Sequence, residues 1–77
     1  MSSRDFRADG YRALAELFEI SARDFDQQAE EHAALAATFE QRGELRKAEQ
    51  ALHDYRVNVV FALLEQANAA ACRIHSG

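Results

Sequence analysis

Tyr11, Phe18, Phe25, His32 and Phe39 stand seven residues apart, in phase with a second series of the same spacing: Ala15, Ala22, Ala29 and Ala36, which Gly43 continues. Together the two series step four, three, four, three along the chain. That is the a/d seam of a heptad, with small residues at one column and large ones at the other, and it predicts a long helix packed lengthwise against a second helix. Alanines fall in phase by chance in an alanine-rich chain. Aromatic residues in the same phase do so far less easily. Ser21-Ala-Arg-Asp24 has the form of a capping box, which can open a new helix. A break there would shift the phase of the seam, and the phase runs through unchanged, so one continuous helix is expected.

The chain has no proline and three glycines, at positions 10, 43 and 77, so Gly43 is the one interior punctuation mark in the seam. Glycine takes the left-handed conformation that ends a helix, and Arg42 before it suits the negative end of the helix dipole. Glu44 suits the positive start of the next helix. The prediction is a single domain over residues 1–77, with helix 1 over about 5–42, a turn at 42–44 and helix 2 over about 44–74. Ser3 or Asp9 is the candidate cap of helix 1.

Folding helix 2 back at Gly43 brings Phe39 opposite Ala48, Ala36 opposite Leu52, His32 opposite Tyr55 and Ala29 opposite Val59. Phe25 then faces Ala62, Ala22 faces Gln66 and Phe18 faces Ala69. Large meets small at almost every layer, which fills a seam without voids or overpacking. The fold class expected is therefore all-α: an antiparallel two-helix hairpin with a small/large heptad seam, dimerising into a four-helix bundle.

That seam leaves many apolar residues over. Val57, Val60, Leu64, Ala67, Ala71 and Ile74 form a second stripe on helix 2, with Phe61 and Leu63 beside it. Leu14, Leu17 and Ile20 lie off the seam of helix 1. They gather toward the end of the hairpin that carries the termini, while Arg42, Glu44, Arg46, Lys47, Glu49 and Gln50 make the turn end polar. A helix that is apolar nearly all round is buried on more than one side, and a lone hairpin cannot do that. Leu14, Leu17, Val57, Val60, Phe61, Leu64, Ala67, Ala71 and Ile74 are the candidate partner interface.

Size points the same way. A domain of 77 residues buries only about 60% of its unfolded surface and needs added support. An internal disulfide is excluded, because Cys72 is the single cysteine, a usage that fits a reducing compartment. Oligomerisation or docking on a partner remains, with a homodimer as the expected form. A net charge of −4 argues against a grip on nucleic acid, which needs clustered Lys and Arg. No secretory leader is evident. The longest apolar run, Val57 to Leu64, is far short of the ~20 residues that span a bilayer. A soluble cytoplasmic protein with no membrane contact is expected.

Leu35-Ala36, Phe39, Gly43 and Ala48 resemble the core positions of a tetratricopeptide repeat. In that family a small residue follows leucine, an aromatic sits three on, a glycine marks the turn, and an alanine packs the second helix. The resemblance covers about residues 29–60. It departs in the second helix, where Leu52 and Tyr55 replace the usual aromatic and alanine, and the chain holds no second copy of the unit, whereas such arrays stack about three. What it implies is protein binding.

Three constellations bear on chemistry. His32 lies in the seam beside Glu30 and Glu31, and should meet His53 or Tyr55. Helical bundles that bind metal use inward carboxylates and a Glu-x-x-His spacing, but Ala29 and Gln50 occupy the positions where His32 and His53 would need the glutamate. A core histidine hydrogen-bonded to Tyr55 is expected, and a metal-binding bundle using His32, His53 and nearby carboxylates is the alternative. Cys72 and His75 are three residues apart on one helix face. No oxyanion hole or third orienting group accompanies them, so no catalytic residue and no cofactor is assigned. Asp24, Asp26, Glu30 and Glu31 form an acidic run, expected to be a solvated face. The functional expectation is a non-catalytic interaction module, an adaptor, chaperone-like or regulatory hairpin, working as a homo-oligomer or with a helical partner.

Overall fold

The computed structural model describes residues 3–76, with side chains from Arg7 onward. It is a pair of antiparallel helices, α1 (Ser3–Gln41) and α2 (Leu45–Ser76), packed together along their length. Strong helix formers and the absence of proline leave nothing to interrupt either one. α1 passes through Ser21 without a break, as the unshifted heptad requires. Its 39 residues already include Ser3, so Asp9 is inside the helix and not its cap; the Asp9 carboxylate instead pairs with Arg12 one turn on, at 2.8 Å.

The turn is built by hydrogen bonds. Gly43 has φ of 72°, the left-handed conformation. The Glu44 amide donates to the Phe39 carbonyl at 2.9 Å and the Gly43 amide donates to the Glu40 carbonyl at 3.1 Å. This pair of bonds is a Schellman motif, which satisfies two carbonyls that the end of α1 would leave orphaned. α2 then starts with the Ala48 amide donating to the Glu44 carbonyl at 3.0 Å.

The seam differs from the expected one on α2. Ala15, Ala22, Ala29 and Ala36 of α1 are buried, as are Ala48, Ala62 and Ala69 of α2. The second column of α2 is Ala51, Asn58, Glu65 and Cys72, rather than Leu52, Val59 and Gln66. Ala51 and Asn58 are buried, while Leu52 is 40% exposed and Gln66 is exposed. Small residues therefore meet small residues at the centre, and the layering of large against small is corrected.

The cause is close approach. The Cα atoms span 62 × 12 × 12 Å. A helix carries its Cα atoms on a cylinder of about 2.3 Å radius, so a pair fitting within 12 Å has axes about 7–8 Å apart, inside the usual 8–10 Å. No leucine fits between backbones at that distance. Asn58 is accommodated because its Nδ2 donates to the Asp54 carbonyl at 2.8 Å. No buried side-chain polar atom lacks a partner among the described residues.

The tetratricopeptide resemblance does not extend to the architecture. α1 alone, at 39 residues, exceeds the ~34 residues of a whole two-helix repeat of that family.

Candidate interaction surface

Packing small residues centrally pushes the large ones to the rims. Phe18, Phe25, His32 and Phe39 are half-buried, and Tyr11 is exposed. They line one edge of the helix pair. There Phe25 stacks on Phe61 with ring centroids 5.3 Å apart, Tyr11 stacks on His75 at 5.1 Å, and the Lys47 ammonium lies 5.7 Å from the Phe39 ring centroid. Each of these pairs is two heptads from the next on both helices, so all three lie on the same side of the seam. We call this the aromatic edge.

The opposite edge is charged along α1, while its α2 half carries Leu52, Val59 and Gln66 before Arg73, each seven residues from the next. Glu19 follows Phe18 by one residue, about 100° further round the helix, with the Ala15 and Ala22 column between them. Its carboxylate accepts from Arg73 Nε at 2.7 Å, and Arg73 Nη2 lies 2.7 Å from the same oxygen. Glu16, Arg23, Asp26 and Glu30 continue this side along α1, all exposed.

Every residue of the candidate interface is exposed. Val57, Phe61, Leu64 and Ala71 follow one another at steps of four, three and seven, and so share the face that Phe61 presents at the aromatic edge. Leu14, three residues from Tyr11, and then Leu17 extend that face on α1. Val60, Ala67 and Ile74, each seven from the next, lie together on the side of α2 turned away from α1, and Ile74 is 78% exposed. The candidates thus join the aromatic edge to the outer side of α2 in one continuous apolar surface. Two shallow depressions mark it: one lined by Arg7, Gly10, Tyr11 and Leu14, the other by His53, Arg56, Val57, Val60 and Phe61.

The heptad spacing places Tyr11, Phe18, Phe25, His32 and Phe39 in the inner seam; in the structure they flank it, with Tyr11 and Phe25 stacked on His75 and Phe61 at the aromatic edge. The signal for it is the alanine column in the same helix. When alanine takes the centre at every second seam position, the paired aromatics have only the rim.

Among the described residues no group of three or more His, Cys, Asp or Glu side chains could hold a metal ion. His32 is half-buried at the seam, and no hydrogen bond joins it to Tyr55 among the described residues. His53 is exposed on the outer side of α2, so the two histidines do not meet. Cys72 is a free, half-buried thiol, and the His75 ring lies on Tyr11. No helix among the described residues is long and apolar enough to cross a membrane.

Compared with known proteins, the chain matches no family model, no curated protein and no solved structure.

Proposed function

We propose that this chain is a non-catalytic protein-interaction module, a helical hairpin that offers the aromatic edge and the outer side of α2 to other helical chains. The observation that carries it is where the large apolar side chains sit. Leu14, Leu17, Val60, Phe61, Leu63 and Leu64 are between 44% and 62% exposed, and among the described residues no large side chain is fully buried. Among the described residues the buried hydrophobic ones are eight alanines, which withdraw roughly 6 kcal/mol worth of methyl surface from water at ~0.8 kcal/mol per carbon. Completing the burial of Phe61, Leu64 and Val60, each about half exposed, would add roughly 2–5 kcal/mol in all, since full burial of such a side chain contributes roughly 1.5–3 kcal/mol. A surface of that weight left open is the mark of an interface.

An adaptor, small chaperone or regulator is the class of role that fits, and the lone cysteine suits action in the reducing cytoplasm. The test is affinity capture from the native host with three baits: the parent chain, Phe61→Glu and Leu64→Glu, each checked for helical content. The parent is expected to retain a stoichiometric partner, or itself, that both variants lose. A partner retained equally by all three baits would place binding elsewhere and overturn this assignment.

A further inference from the structure

We infer that the first occupant of the aromatic edge is the same edge of a second copy, the two hairpins lying antiparallel about a two-fold axis that passes near Leu64. This rests on the assignment of the chain as an interaction module and names its partner.

Area supports a second copy. One chain exposes 5900 Å², whereas a compact protein of 8.7 kDa exposes about 4700 Å². Doubling the mass raises the compact value only to about 7900 Å². Two hairpins therefore reach ordinary compactness by burying about 4000 Å² between them. That lies within the roughly 2,000–5,000 Å² of obligate homodimers.

Charge selects the edge. A two-fold contact sets each surface against itself. On the charged edge Glu16, Glu19, Asp26 and Glu30 outnumber Arg12, Arg23 and Arg73, so that edge would meet its own excess of carboxylates. The aromatic edge would meet apolar surface instead.

Charge also selects the direction. The stacks of Tyr11 on His75 and Phe25 on Phe61 set the heights of the two helices. Leu64 then lies level with Ser21 and Ala22, midway between Leu14 and the level of Val57, and close to mid-length. With the hairpins parallel, Asp54 would face Asp54 and Lys47 would face Lys47. With them antiparallel about that midpoint, Leu14 meets the partner's Val57 level, and Asp54 and Lys47 are each carried away from their own copies.

The test uses the full chain. Sedimentation equilibrium of the parent is expected to give twice the chain mass of 8.7 kDa. Phe61→Glu and Leu64→Glu each place two carboxylates in the contact and are expected to weaken association about a hundredfold or more. Glu30→Lys on the charged edge is expected to leave it unchanged. Because the edge variants could also loosen the hairpin, direction is read on an intact surface. A spin label at Arg46→Cys in a Cys72→Ser background is expected to show pair distances of about 50–60 Å, at 1.5 Å per residue over most of the hairpin. A pair distance under about 25 Å would overturn the antiparallel arrangement, and loss of the dimer in Glu30→Lys but not in Leu64→Glu would overturn the choice of edge. A monomeric parent would overturn self-association altogether. In that case a host partner still lost by the Leu64→Glu bait would leave the interaction module standing, and one retained by it would remove both.

Discussion

Replacing Ala62 with leucine drives three more carbon atoms into the place where the two backbones run closest. Ala62 is 1% exposed and sits in the column with Ala48 and Ala69, facing the buried alanines of α1. At an axial separation of about 7–8 Å a leucine cannot be absorbed by a rotamer change, so the helices must part by an ångström or more over several layers. Overpacking of a tight core costs about 1–3 kcal/mol, and this site belongs at the upper end because neighbouring alanines lose contact as well. For a domain of this size each kcal/mol moves the melting point by about 4–8 °C, so a fall of about 10–20 °C is expected. Circular dichroism melts of Ala62→Leu and of Ala37→Leu, an exposed alanine, at one common protein concentration form the assay. Ala37→Leu should stay within about 0.5 kcal/mol of the parent. An Ala62→Leu melt within a few degrees of the parent would refute the close-packed alanine seam, since the seam would then have room for a large residue.

Gly43→Ala should cost about 1 kcal/mol in a urea titration, purely through the left-handed backbone, because a Cβ there meets nothing within 4 Å. Asn58→Ala should stabilise by about 0.5 kcal/mol in the same titration: the Asp54 carbonyl keeps its helical partner, and alanine is the better helix former. Arg73→Ala should cost less than about 1 kcal/mol, and the cost should shrink in 1 M salt, because the Glu19–Arg73 pair is exposed.

The hairpin was legible in the sequence because it depends on two strong signals. One is a heptad phase unbroken from Tyr11 to Phe39, and the other is a single glycine where that phase ends. Those fix α1, the turn and the direction of α2. The rotation of α2 about its own axis was not legible from the same pattern. The Ala48–Tyr55–Ala62–Ala69 column belongs equally to a seam completed by Leu52 and Val59 and to one completed by Ala51 and Asn58. Residue volume favoured the first, whereas the second lets two backbones approach until alanines touch. The exposed set was readable regardless, because Val60, Leu64 and Ile74 lie far from the seam under either rotation. The place of Phe25 and Tyr11 beside them depended on the rotation, and only the stacking on Phe61 and His75 reveals it.

Hydroxyl-radical footprinting of the intact chain tests most directly whether the aromatic edge is an interface. Phe61 and Leu64 are 45% and 53% exposed in the single hairpin, and Leu45 and Leu52, which lie away from that edge, are 64% and 40% exposed. If the edge is occupied in the assembled protein, Phe61 and Leu64 will oxidise several-fold more slowly than they do after dilution to single chains, while Leu45 and Leu52 oxidise at the same rate in both. Oxidation of all four in proportion to their exposure in the single hairpin, at every concentration and with the host partner present, would contradict it.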